Sequence, residues 1–298
     1  MHKKEIFFGG GATQFLGDLG GQEGVGKDYS LADIDWASTN WNVLFGYRYR
    51  FHPTWSVSAV MNVGRVYASD QFTPNAARNT RNITIRTMLA NLVLRGEYII
   101  YANEKVGKRN ALPGLKGMKD KNVQVFIFTG IGFVYYNPKA FSNLRGEWVS
   151  LQPLKTEGQG YPGGEGKNYK RFTVCHPFGI GYRTGLGRMW RMMIEVSYFK
   201  TYSDYIDDVS TTYYNYDDAG VNQTPPRPES IELADPTGDP TTIGTLDGYN
   251  GKFGHGEKRG DNEKDAFFYV NLGFSKNITY KSYVRGKPIK WKGVRAKF

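Results

Sequence analysis

Four histidines (His2, His52, His176 and His255) and one cysteine, Cys175, are the residues of this chain best suited to nucleophilic or metal chemistry. Their spacing assembles none. The histidines fall at the N-terminus, in a turn, at the start of a strand and in a loop, where they complete no Ser-His-Asp or Cys-His arrangement. A lone cysteine closes no intramolecular disulfide and builds neither a zinc cluster nor a redox pair, so Cys175 reads as a small half-buried residue. The acid pairs Asp207-Asp208 and Asp217-Asp218 could hold calcium, but they lack EF-hand spacing and read as solvated loop charge. Gly9-Gly10-Gly11 and Gly163-Gly164 do not follow a strand and open a helix as phosphate loops do; they read as close strand packing and a loop turn. No catalytic, cofactor or metal set is expected.

The basic residues are the stronger signal. With 39 Lys and Arg against 28 Asp and Glu the chain carries a formal charge of +11, which draws acidic partners by nonspecific attraction at least. Nucleic acid is not expected among them, because no recognition-helix, zinc or RNA-binding motif is present and aromatic stacking platforms need basic neighbours on their own face. The charge is sorted along the chain. Lys105, Lys108, Arg109, Lys116, Lys119 and Lys121 crowd residues 102–121, and Lys281, Arg285, Lys287, Lys290, Lys292, Arg295 and Lys297 crowd residues 280–298. Acids instead mark 17–39 (Asp18, Glu23, Asp28) and 203–264 (Asp204, Asp207, Asp208, Asp217).

The elements that could hold these groups apart are strands. Aromatic residues make up 15% of the chain, and Tyr and Phe cluster in short alternating segments. No stretch approaches the roughly 18 consecutive apolar residues of a membrane-spanning helix, so a membrane crossing would be made by strands. Period two gives eight segments: Glu5–Leu16, Asn40–Phe51, Trp55–Tyr67, Ile83–Tyr101, Asn122–Tyr136, Thr173–Leu186, Trp190–Tyr202 and Asp265–Ile278. In the second, Trp41, Val43, Phe45, Tyr47, Tyr49 and Phe51 oppose Asn42, Gly46, Arg48 and Arg50.

A soluble sandwich also alternates, so the placement of charge matters more. Arg48, Arg50, Arg95, Glu97, Arg183 and Glu195 share the polar faces with many glycines. That mixture suits a narrow lumen closed by ion pairs, in which Glu97 and Glu195 each lie against an arginine because an enclosed charge is costly unpaired. Trp41, Phe51, Trp55, Tyr67, Tyr98, Tyr101, Tyr135, Trp190 and Tyr202 at strand ends suit the aromatic girdles of a membrane barrel. The expected fold is all-β: an eight-stranded antiparallel transmembrane β-barrel with long extracellular loops, occupying residues 1–279, followed by a basic periplasmic tail, 280–298.

Connection lengths orient it. His52-Pro53-Thr54 and Gly187-Arg188-Met189 are tight turns, whereas 17–39, 68–82, 137–172 and 203–264 are long. Short turns are periplasmic in outer-membrane barrels, which puts both basic segments on the periplasmic side. The loop Gln223–Thr242, rich in proline and acid, is expected to be mobile. The start Met1 to Glu5 lacks the apolar core and cleavage site of a signal peptide, so the sequence is expected to be in mature form or to carry a replaced N-terminus.

Three stretches carry a family resemblance. Glu5-Ile6-Phe7-Phe8-Gly9-Gly10 with Phe15-Leu16-Gly17-Asp18-Leu19, then Leu151 to Gly160 with its Thr156-Glu157-Gly158-Gln159-Gly160 run, then Tyr202 to Tyr213, resemble the Bacteroidota outer-membrane barrel family that includes PorG of the type IX secretion system. The resemblance implies a non-enzymatic outer-membrane component that anchors a periplasmic ring of PorK and PorN type as part of a larger membrane complex. Its partner contacts would be Lys105, Lys108, Arg109, Lys116, Lys119, Lys121, Arg285, Lys287, Lys290, Lys292, Arg295 and Lys297, with membrane lipid as the other partner and no cofactor. A small channel or ligand-binding barrel, and a lipid-modifying barrel enzyme with a site at the rim, are the alternatives.

Overall fold

Eight antiparallel strands close on themselves in the computed structural model, which describes residues 4–19, 36–73, 76–103, 123–164, 166–186, 189–216, 224–237, 253–261 and 263–278. The strands are β1 (Lys4–Leu16), β2 (Asn40–Arg50), β3 (Trp55–Ser69), β4 (Thr84–Asn103), β5 (Val123–Ser142), β7 (Phe172–Gly185), β8 (Trp190–Thr201) and β9 (Ala266–Asn277). A short β6 (Glu147–Ser150) lies against the outer end of β5. Neighbours in sequence pair around the ring, β4 pairs with β5, and β1 pairs with β9 to close it. Closure leaves no unpaired edge in the barrel, which is what lets strands cross a bilayer.

Alternation decides which side chains meet lipid. Leu92 and Leu94 are 60% and 62% exposed, while Glu97 on the same strand is 0% exposed. The outward row of β2 is Trp41, Val43, Phe45, Tyr47 and Tyr49, all exposed, and its inward row is Asn42, Leu44, Gly46, Arg48 and Arg50. Apolar outside and charged inside is the reverse of a soluble protein, and it fits a chain whose solvent is hydrocarbon. Tyr101, expected in the girdle with Tyr98, is buried on the inward face. The two are three residues apart, so a period-two strand cannot show both to lipid.

Several strands run further than their apolar pattern. β5 was expected to stop at Tyr136 and reaches Ser142, because Asn137, Pro138 and Lys139 still pair with Met88, Thr87 and Arg86 beyond the apolar zone. The stretch expected to be mobile, Gln223–Thr242, is described over residues 224–237. Residues 224–237 contain a short helix (Glu229–Ala234), which buries Leu233 and Ala234, and Glu232 accepts a hydrogen bond from Ser142 Oγ at 2.6 Å.

Inside, large rings face glycines. Phe7 lies opposite Gly46, Phe126 opposite Gly181 and Phe128 opposite Gly179. A Cβ on Gly46 would stand 2.2 Å from the Phe7 ring, and one on Gly181 would stand 2.1 Å from that of Phe126. The glycines of the triple Gly9-Gly10-Gly11 serve strand approach, since a Cβ on Gly9 would lie 2.6 Å from the Leu272 carbonyl oxygen. Toward the loop end the interior becomes apolar: Val66, Ile85 and Phe267 from the strands meet Leu154, Ile206 and Val209 from the loops. Cys175 belongs to this core and is fully buried rather than half-buried. Its side chain faces inward, where loop residues cover the strand end.

Candidate functional site

The lumen holds one connected charge network. Glu97 on β4 receives Arg48 Nε at 2.5 Å, with Arg95 Nε at 3.4 Å and Arg183 Nη2 at 3.7 Å. The hydroxyls of Ser56 and Ser58 donate to the same carboxylate at 3.0 and 2.6 Å. Glu195 on β8 takes both forks of Arg95, at 2.6 and 2.7 Å. The Arg95–Glu195 pair joins strands three apart in the ring. Such a bidentate pair fixes geometry as well as charge.

Two members of the network were not foreseen. Glu5 on β1 binds Arg48 at 3.1 Å, Arg183 at 3.0 Å and Arg191 at 3.1 Å. Its position invited oversight, because it is the second residue of its strand and looks like part of a charged leader. The signal was available: Glu5 is two before Phe7 and shares its inward face. Arg50 lies nearer the turn, where its guanidinium donates to the Pro53 carbonyl.

The arginines are also stacked on the rings that the glycines admit. Arg48 sits 4.5 Å from the Phe7 centroid, Arg183 4.2 Å from Phe126 and Arg95 4.1 Å from Phe128. Each guanidinium therefore has a carboxylate at its edge and a ring at its face, the pairing that makes a desolvated cation tolerable. The arrangement braces the barrel and fills its middle.

A second network ties the outer loops together. Arg259 Nη1 donates to Glu157 at 3.0 Å and to the Asp208 carbonyl at 2.6 Å. Glu157 also accepts from the Ser210 backbone N–H at 2.8 Å. Arg81 grips Asp70 through two bonds of 2.8 and 2.9 Å, and reaches the carbonyls of Arg259 and Asp18 at 2.5 and 2.7 Å. All four long loops contribute to this clasp. Gly158, beside Glu157, has φ +65° and packs under Tyr214, leaving no room for a side chain.

Asp207 and Asp208 are not the solvated charge expected of them; Asp217 and Asp218 lie outside the described residues. Asp207 is 0% and Asp208 1% exposed. Asp208 has φ 65° and accepts from Thr156 and Tyr169 hydroxyls, each at 2.5 Å, so a left-handed turn feeds it into the clasp. Burial pushes its carboxyl up to about 6, Asp204 up to about 7 and Asp18, beside Asp261, up to about 8. Burial and their acidic neighbours also raise Asp207 and Asp265 well above the usual carboxylate range. The folded loops thus hold protons that an unfolded chain releases near pH 4, so loop stability should fall as pH rises from about 4 through about 8. Hydrogen exchange at residues 204–211, corrected for its intrinsic pH dependence, should accelerate over that window. A flat corrected rate would contradict this.

Among the described residues, no three His, Cys, Asp or Glu side chains converge as a metal-binding set. The basic residues expected to meet a partner, Lys105, Lys108, Arg109, Lys116, Lys119 and Lys121, and Arg285, Lys287, Lys290, Lys292, Arg295 and Lys297, lie outside the described residues. The flanking strands do locate their attachment: β4 ends, β5 begins and β9 ends at the same rim as the His52–Thr54 turn.

No protein-family model and no curated protein matches the chain. Among solved structures it is similar to Ail, the attachment invasion locus protein of Yersinia pestis, crystallised with the heparin analogue sucrose octasulfate, at 10% identity over 92% of this chain and 99% of that one, with a TM-score of 0.36. It is likewise similar to the outer membrane protein OprG from Pseudomonas aeruginosa, at 9% identity over 93% of this chain and 98% of that one, again with a TM-score of 0.36. Likenesses this distant add nothing to what strand pairing and the exposed apolar belt establish. On those two observations the chain is an eight-stranded transmembrane β-barrel of the bacterial outer membrane, with its turns toward the periplasm and its clasped loops outside.

Proposed function

We propose that this barrel is a non-enzymatic component of the type IX secretion machinery, anchoring a periplasmic ring of PorK and PorN type to the outer membrane. The observation that carries the reading is the filled interior: Arg95–Glu195 and Glu5–Arg183 bridge the lumen, and the loop core stops its outer mouth. An interior spent on bracing leaves the rims for function. At the periplasmic rim the sequence gathers its unbalanced positive charge, in residues 104–122 and 279–298, which suits an acidic protein surface. The resemblance of the Thr156–Gly160 and Tyr202–Tyr213 stretches supplies the machine, and the clasp gives those stretches a shared task, since Glu157 accepts from Ser210 and Thr156 donates to Asp208.

Deleting residues 280–298 and replacing the lysines and Arg109 of 104–122 with glutamine should release the ring proteins from the barrel in a pull-down from native membranes. The barrel itself should still fold, because its eight described strands include none of the residues deleted or replaced. Ring proteins retained after both changes would defeat the reading.

A further inference from the structure

On β3, β4 and β5 the outward rows contain no carboxylate, yet each carries a cation near the loop-side rim. Arg65 follows Met61 and Val63 on β3, Arg86 precedes Met88 and Leu92 on β4, and Lys139 follows Phe133 and Tyr135 on β5. Each stands one outward position or two above the apolar belt, a rise of about 7 Å per position, at the level of lipid headgroups. The three strands are neighbours.

Arg86 and Lys139 lie directly opposite each other in the β4–β5 ladder, and Arg65 is one row below, opposite Met88. Like charges facing across a ladder destabilise it. None of the three has a carboxylate within ion-pair distance among the described residues: Arg65 Nε donates to Asn40 Oδ1 at 2.9 Å, and Arg86 lies 4.3 Å from the Trp148 ring. Above them opens a cleft of about 290 Å³ lined by Tyr67, Thr84, Phe141 and Trp148. The acid on that cleft, Glu232, has both oxygens occupied, by Ser142 Oγ at 2.6 Å and the Asn143 N–H at 2.5 Å.

Three half-exposed cations on adjacent strands, set over a hydrocarbon-facing surface, meet no carboxylate among the described residues. We propose that this face of β3–β5 binds the phosphate-bearing headgroup of an outer-leaflet glycolipid, with Arg65, Arg86 and Lys139 meeting the phosphate and the acyl chains lying along Met61, Met88 and Leu92. The site is independent of the periplasmic ring. It gives the barrel a fixed lipid at the rim opposite the one used for anchoring.

The test is native mass spectrometry of the full chain in detergent with diphosphorylated lipid A added, and with the same glycolipid dephosphorylated. The phosphorylated lipid should be retained and the dephosphorylated one lost. Each cation removed should weaken retention about fivefold, so Arg65→Gln, Arg86→Gln and Lys139→Gln together should weaken it on the order of a hundredfold. Should the triple variant fail to show the gel shift of a folded barrel, Lys139→Gln alone, whose side chain engages no described partner, should still cost about fivefold. Equal retention of both lipids, or retention unchanged in the folded variants, would overturn the proposal. Excess inorganic phosphate should not displace the lipid; full displacement would make this a phosphate site and not a lipid site.

Discussion

Glu97→Gln should lower the unfolding free energy of the barrel in detergent by about 3–5 kcal/mol, the usual cost of removing one partner from a buried ion pair. The reason is geometric. Glu97 is fully buried and serves Arg48, Arg95 and two serine hydroxyls as an acceptor, with Arg183 close by. A glutamine offers one acceptor oxygen in place of two and turns an NH2 toward guanidinium groups that also donate. Arg48, 1% exposed, would keep Glu5 as its remaining carboxylate. Urea titration monitored by tryptophan fluorescence would read the change, and unchanged stability would mean that the network does not brace the fold. Replacing Arg95 and Glu195 together by Met and Leu should cost much less than either single change, because no orphaned charge remains.

Arg259→Met should have a comparable but local effect. It removes the cation from Glu157 and the donor from the Asp208 carbonyl, leaving a buried carboxylate held by backbone and hydroxyl donors alone. A loss of about 3 kcal/mol is expected in the loops and little in the strands, since the clasp stands above the ladder hydrogen bonds. Hydrogen exchange separates the two: residues 156–159 and 204–211 should exchange faster, while β2 and β3 keep their protection. Uniform acceleration would show instead that loops and barrel unfold as one unit.

The strands were legible because lipid imposes a strict rule on them. Trp41 to Phe51 and Trp55 to Val63 alternate with a single inward apolar residue each, Leu44 and Val60, and a one-residue slip would put Arg48 into hydrocarbon. Legibility ended where that rule stops. Beyond Tyr136 the outward residues of β5 are Asn137, Lys139 and Phe141, the first two of which look like loop, though the ladder continues through them. The lumen was half readable. Polar faces gave Arg48, Arg95, Glu97, Arg183 and Glu195, but Glu5 and Arg191 are the second residues of their strands, where a charge looks like the flanking turn unless the period is carried back from Phe7 and Met193. The clasp was not readable at all. Arg259 and Glu157 are far apart in sequence, loops have no period, and Asp207 and Asp208 look solvated until four loops are folded over them.

The central claim is that the interior is a braced core and the barrel acts through its rims. Single-channel recording of the purified full chain in a planar bilayer tests it most directly. The lumen bridges predict a silent membrane under applied voltage, before and after the loops are loosened by Arg259→Met. Steady unitary conductance from the unmodified protein would contradict the account and make the barrel a pore.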